Sequence, residues 1–575
     1  MRESIFLFLA LLLTIVAQGR ERTAAEMRQI AMTQLGLSAT TRASSAELKR
    51  MYTGEKLSIY GTDKAFVVVS SDTQFTPVLG YSDTSFDSDN LPANFRWWLA
   101  RITTSMKNGY VSSYTPTRST SSGSYLCTAL WGQESPYNQN CPESFGRLGS
   151  NLYTGCVATA MSQIMYYYKY PVTGSGTDCT YTVVRSSSNK GTTHSRSFNS
   201  TYDWSNMIDD YTSQGTTVQQ QAVATLMFDA GTAVHMQYTS DGSGAYTNDA
   251  ASAFVENFGY DSLSVNYLTR LYYSDEEWMD IIDNEISNGR PILYSGVDAT
   301  TLGGHAFVFD GIDGKGYVHI NWGWDGDANG FYDIADLEPN AEILSSSTDY
   351  HFNLYQDMVI GLKPHANADA EDRYHSQWIS DSTIAYTSPA KNILSIELAD
   401  MWNMDYQTFE GTISALFINQ STGDTTTCEF FNSKDYGSTE YNSGYTLRNS
   451  TDGTVEPLEF DLKSDLGLPA GTYKVCLASQ SEKQSEPTVL RIPGGESSAI
   501  FTYAEDGTVT FGATTGISST KAVTPAVSSD VVCVYDITGR LVYVSKAASF
   551  QMDDIPGQGL FVIRQGDSTQ KVIKK

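Results

Sequence analysis

Cys156 is the residue with the most chemistry within its neighbours' reach. It follows Gly155 and opens the run Cys156-Val-Ala-Thr-Ala-Met-Ser-Gln-Ile-Met-Tyr-Tyr-Tyr168, which meets no helix breaker before Pro171. Val157, Ala160, Met161, Ile164, Met165 and Tyr168 recur at three-and-four spacing, so one face of the predicted helix is core-facing. A thiol at the first turn sees the positive end of the helix dipole, which favours thiolate over thiol. Against this stands the ordinary alternative, a buried structural cysteine in a core helix.

A cysteine nucleophile needs a base, a group to orient that base and donors for the oxyanion. The chain has seven histidines. His194, His351, His365 and His375 lie in polar stretches and read as solvated; His235, in Ala-Val-His-Met, reads as core. His319 alternates with Val318 and Ile320 and suits a satisfied strand residue. His305 differs, because Gly303-Gly304 immediately precede it at the mouth of an apolar strand, and glycines leave room for another chain. Asn321-Trp322-Gly323-Trp324 ends the next predicted strand, so a hairpin brings an amide and indoles to the same side as His305. Upstream, Trp131-Gly132-Gln133 supplies a side-chain N–H that, with the backbone N–H of Cys156, forms an oxyanion hole. Cysteine first, histidine about 150 residues on, then Asn and Trp is the order of papain-like thiol proteases.

The elements that must position these groups follow from length and pattern. The chain has 575 residues, 65 acidic and 37 basic, for a net charge of −28. Several domains are expected, and such acidity argues against nucleic-acid binding. The run Ile5 to Val16 is apolar but too short to span a bilayer, so residues 1–19 read as a secretory signal, and no later segment reads as transmembrane. The seven cysteines are odd in number, and neither CxxC nor HExxH occurs, so no metal or other cofactor is expected.

Residues 20–118 read as one α+β unit closing in a Ser/Thr-rich linker. Residues 119–364 read as helices near 156–169, 217–230, 247–257 and 275–288, then strands at 291–295, 306–311, 317–321, 330–334 and 358–362. Helices first and an antiparallel sheet afterwards is α+β. Residues 365–515 read as a β-sandwich, and 530–575 as a small β unit after a second linker.

The blocks Trp131-Gly-Gln-Glu-Ser-Pro-Tyr-Asn138, Thr154-Gly-Cys-Val-Ala-Thr-Ala160, Asn257-Phe-Gly-Tyr260, Gly303-Gly-His-Ala-Phe-Val308 and His319-Ile-Asn-Trp-Gly-Trp324 resemble the streptopain family of secreted cysteine peptidases. The resemblance covers roughly residues 125–364. It implies a papain-like catalytic domain with Cys156 as nucleophile, His305 as base and acid, and Gln133 as oxyanion donor. Asn321 becomes the third member, with Trp322 and Trp324 packed around the histidine. It further implies a substrate-lining loop at 238–245 and a substrate-binding Gly304. Gly244 falls where the family's type member carries Ser. The first unit is similar to the family's inhibitory propeptide, so the resemblance implies a zymogen that acts on protein or peptide substrates and is held by its own propeptide. Residues 530–575 resemble a type IX secretion sorting domain, which implies export by that machinery through the periplasm and outer membrane. Two other readings use the same residues: a thiol acyl-transferase such as a transglutaminase or deamidase, and a catalytically silent adhesin or inhibitor.

Overall fold

The computed structural model describes residues 19–37, 48–112, 114, 116, 122–143, 150–176, 179–183, 192–239, 242–297, 304–337, 356–365, 376–380, 384–398, 400–436, 444–446, 456–511, 531–536, 541–546, 551, 559–565 and 568–574. The apolar run at 5–16, most of the first linker, the whole of the second, His351 and His375 lie outside these residues. The chain divides into two compact units: 1–125 with 311–322 and 326–341, and 126–310 with 323–325 and 342–575.

In the first unit, helix α1 (Ala24–Gln34) starts at Thr23, whose side chain accepts from the N–H of Glu26 while Glu26 returns to the N–H of Thr23. That reciprocal cap satisfies two otherwise orphaned donors. Strands β1 (Lys49–Thr53), β2 (Leu57–Gly61), β3 (Phe66–Ser70) and β4 (Val78–Ser82) form an antiparallel meander. Strand β3 is buried throughout because both of its faces are covered. Val67 and Val69 pack with Met27 and Ala31 of α1, while Phe66 turns to Phe95 of α2 (Ala93–Lys107), ring centres 5.8 Å apart. The meander continues through β12 (Gly330–Tyr332) and β11 (Val318–Asn321), with Phe331 opposite Tyr81 and Tyr332 opposite Gly80.

In the second unit, helices α3 (Cys156–Tyr168), α4 (Thr217–Ala233) and α5 (Thr247–Glu256) pack around one apolar core. Against it lies a sheet ordered β10 (Gly304–Asp313), β9 (Ile292–Val297), β13 (Asp357–Ile360), β8 (Asn266–Thr269), antiparallel throughout. The last three residues of β10 belong to the first unit. Leu293, Val308 and Val359 face the helical core. Tyr294, Phe307 and Phe309 face the other way, where Trp278 of α6 (Asp275–Ser287) meets Tyr294 at 6.1 Å. This is the α+β architecture expected, with β8 and the hairpin of β6 (Cys179–Val183) and β7 (Thr192–Arg196) in addition; β5 (Ser122–Tyr125) belongs to the first unit, where Tyr125 pairs with Gly311.

Residues 376–511 enclose a separate core. Ile413, Ala415 and Phe417 alternate inward on one sheet, and Leu394, Ile396 and Phe460 come from the facing one, as a β-sandwich requires. Two short strands beside it, 378–379 and 491–492, pair in parallel. This domain is fastened to the α6 region. The Arg491 guanidinium lies 3.9 Å from the Tyr273 ring centre, donates to the Tyr272 carbonyl at 2.8 Å and reaches Glu277 at 2.9 Å. Residues 531–574 carry a four-stranded antiparallel sheet.

Candidate active site

Helix α3 begins on Gly155 at φ +88, where a β-carbon would lie 2.4 Å from the Met236 sulfur and 3.0 Å from the Ser243 carbonyl. Only glycine meets both demands. The N–H of Thr159 closes the first helical bond on the Gly155 carbonyl at 3.0 Å. Val157, Ala160, Met161, Ile164 and Met165 are buried, each large one worth about 1.5–3 kcal/mol. At the far end the Tyr168 hydroxyl donates to the Leu362 carbonyl at 2.6 Å. The helix is anchored along its whole length.

Gln133 is held along the first turns of α3. Gln163 donates to the Trp131 carbonyl at 3.2 Å, and the Thr154 N–H donates to the Gln133 carbonyl at 3.1 Å. Trp131 donates from its indole to the Ile208 carbonyl at 2.8 Å and packs on Tyr166. Gly132 has no room for a side chain, since a β-carbon there would lie 2.5 Å from the Asp325 carboxylate, which also accepts from the Tyr137 hydroxyl at 3.1 Å. Gln133 is buried.

Strand β10 brings His305 in from the other side. Its first residues pair with β9, Gly304 opposite Val297, His305 opposite Gly296 and Ala306 opposite Ser295. The Cys156 thiol lies 3.9 Å from the Gly304 carbonyl, and the backbone N–H of Ala306 also acts on it. The main chain on both sides of His305 is therefore at the sulfur. His305 is half-buried and Gly304 exposed.

Burial pushes the Cys156 thiol up, and the N–H groups of Ala306, Val157 and Cys156 itself only partly offset this. The expected thiolate preference is thus reversed, because desolvation outweighs the donors at the helix start.

Among the described residues, a β-carbon at Gly244 or Gly304 would meet nothing within 4 Å. Gly244 pairs with Gln237 through backbone bonds of 2.8 and 3.2 Å, and its neighbour Ser243 abuts Gly155. The Ser243 hydroxyl is buried and without a hydrogen-bond partner among the described residues.

Asn321 and Trp322 belong to the first unit and Trp324 to the second. Asn321 is buried at the end of β11. Trp322 donates to the Ala328 carbonyl at 2.8 Å, receives the Asn94 amide on its own carbonyl at 2.9 Å, and packs on Phe95 and Tyr332. Trp324 is half-buried, with its ring 6.5 Å from that of Tyr153. Gly323 stands at φ +72, and a β-carbon there would lie 3.2 Å from the Thr159 methyl of α3.

Two histidine expectations are corrected. His194 is buried, with its ring 5.5 Å from Tyr238, whereas His235 is exposed at φ +52 just past the end of α4. His365 is exposed, as expected, beside Asp261 at 3.3 Å, and His319 is buried between Tyr125 and Phe331. The sequence reading missed Met236 and Asp325, and placed Ser243 only within the 238–245 loop; their contacts with Gly155 and Gly132 join distant segments and leave no local signal. The five cysteines whose side chains are described, 127, 141, 156, 428 and 476, are all free.

This arrangement is a thiol at a helix start, flanked by a histidine strand and a buried glutamine, and it has relatives. Residues 131–332 match the Peptidase C10 family and residues 20–106 match the Spi protease inhibitor family. The chain is 33% identical over 342 residues to streptopain of Streptococcus pyogenes, covering 54% of this chain and 81% of that protein. It is 32% identical over 326 residues to the thiol protease/hemagglutinin PrtT of Porphyromonas gingivalis, covering 53% of this chain and 36% of that one. A solved fragment of Prevotella intermedia prointerpain A is 37% identical, covering 55% of this chain and 99% of that one, with a TM-score of 0.48. The chain belongs to the Peptidase C10 family. It is a cysteine peptidase that carries an inhibitor-like propeptide domain.

Proposed function

We propose that the chain is an exported endopeptidase, made as a zymogen, in which Cys156 and His305 carry out acyl transfer. The observation that carries this reading is the thiol at the start of α3 beside the main chain flanking His305. Because burial favours the thiol, His305 takes the proton as sulfur attacks the peptide carbonyl. The oxyanion is received by the N–H of Cys156 and the amide of Gln133. His305 then protonates the leaving amine, and the C–N bond breaks to leave a thioester. Water attacks the thioester, gives its proton to His305 and releases the acid as the S–C bond breaks and the proton returns to sulfur.

Asn321 is proposed to orient the base, with Trp322 and Trp324 as its support, and Gly304 and Gly244 to line the substrate path. Residues 20–118 are proposed as the inhibitory propeptide, 119–364 as the catalytic domain and 365–515 as an appended sandwich. For 530–575, a role as sorting domain in type IX secretion is proposed. Export finds its support in the apolar run at 5–16, and among the described residues no helix is long and apolar enough to cross a membrane. Cys156→Ala is the test: casein hydrolysis is abolished and the precursor stays uncleaved, whereas retained hydrolysis refutes the reading.

A further inference from the structure

Residues 270–272 make one helical turn, and the last carbonyls of such a turn find no partner inside it. Here the sandwich supplies the donors. The Gly494 N–H reaches the Leu271 carbonyl at 2.8 Å, and the Arg491 guanidinium reaches that of Tyr272 at 2.8 Å. Glu277 divides its carboxylate between the two domains. One oxygen accepts from the Ser274 N–H at 2.9 Å and starts α6, while the other accepts from Arg491 at 2.9 Å.

Tyr273 is buried among these contacts. Its ring centre lies 3.9 Å from the Arg491 guanidinium and 5.6 Å from the ring of Trp278, and its hydroxyl donates to the Gln377 side chain at 3.2 Å. From Trp278 the aromatic packing continues to Tyr294 at 6.1 Å and on to Phe307 at 5.6 Å, two residues from His305. The surface that meets the sandwich is thus continuous with the packing behind the strand of His305.

A second patch lies at 406–407. Tyr406 packs against the helical core, and Gln407 donates to the Ser262 carbonyl at 3.3 Å while accepting from Lys483 at 2.7 Å. Strands 378–379, 400–403 and 491–492 are neighbours in one sheet, so stretches far apart in sequence meet the peptidase domain as one built face. A buried tyrosine stacked on a paired arginine is the kind of anchor that carries most of an interface's binding energy. The connecting residues 366–375, Ala-Asn-Ala-Asp-Ala-Glu-Asp-Arg-Tyr-His, are by contrast mostly small or polar, the composition at which chains are readily cut.

We propose that residues 376–511 stay docked on the peptidase domain in the mature enzyme, held by this surface and not by the connection, so that cutting 366–375 leaves an assembled molecule. Docking of this kind is independent of the chemistry proposed for Cys156.

The test uses the full Cys156→Ala chain, so that self-processing does not intervene, with residues 367–373 replaced by the recognition sequence of an unrelated site-specific protease. After complete cutting, the two halves elute together from gel filtration at about 1 μM, at the position of the uncut chain. Arg491→Met in the same chain raises the dissociation constant of the halves, compared by dilution, about tenfold or more. Glu277→Gln keeps an oxygen for the Ser274 N–H and loses the charge facing Arg491; it is read in place of the first variant if that one does not melt cooperatively. Parent halves that separate at about 1 μM overturn the proposal. A folded variant whose halves hold as tightly as the parent's overturns it as well.

Discussion

The Cys156 thiol lies 3.9 Å from the carbonyl of Gly304, a residue 148 positions later in the chain. That contact joins the helix start to the strand mouth, and every catalytic proposal for this protein depends on it. It also exposes how few degrees of freedom the site has, because glycines stand wherever segments meet.

Gly155→Ala tests the helix start. The new methyl would collide with Met236 and the Ser243 carbonyl at a φ of +88 that alanine resists. The expected cost is about 1–3 kcal/mol from the backbone alone, with further loss from the collision. Thermal melting should show the destabilisation, and titration with a thiol-directed epoxide should show fewer reactive sites.

Gly132→Ala makes a related point through charge. Its methyl would displace the Asp325 carboxylate, which lies 2.5 Å from where a β-carbon would stand, and so shift the strip carrying Gln133. The expected result is a fall in kcat larger than any rise in KM. Adding Asp325→Gly should recover part of the loss; no recovery would mean that the collision is not the cause.

Gly244→Ser is the contrasting case. No described residue comes within 4 Å of a β-carbon at this position, so the variant should melt within about 0.5 kcal/mol of the parent. An effect, if the loop contacts substrate, will appear in KM with kcat little changed.

The thiol's behaviour with pH follows from its burial. Its value is raised in the folded chain, so the protonated form is the one folding favours, and that contribution is lost as pH rises through the folded value. Alkylation of Cys156 by iodoacetamide in the full chain should therefore be slower at pH 7 than that of a free cysteine. It should accelerate only above the ordinary thiol range. Fast alkylation at pH 6 would contradict this.

Much of this was legible beforehand. The start of α3, the strand opening at the paired glycines and the α+β order all follow from periodicity and breakers, which act locally. Burial set by distant segments was not legible. His235 reads as core from its apolar neighbours, yet it lies where α4 ends and the backbone turns left-handed. His194 reads as solvated, yet a hairpin lays it against Tyr238. Dipole reasoning from the helix start alone put the thiol shift in the wrong direction, since desolvation depends on what covers the sulfur. Asp357 sits one residue before the strand that apolar pattern alone would begin at Met358, because a carboxyl argues against strand propensity.

The central claim is that Cys156 is the nucleophile, and the most direct measurement is casein hydrolysis by the purified Cys156→Ala chain, with its melting curve and intact mass. The account predicts a folded, uncleaved precursor with no detectable hydrolysis. A folded variant that still hydrolyses casein, or still matures, would contradict it.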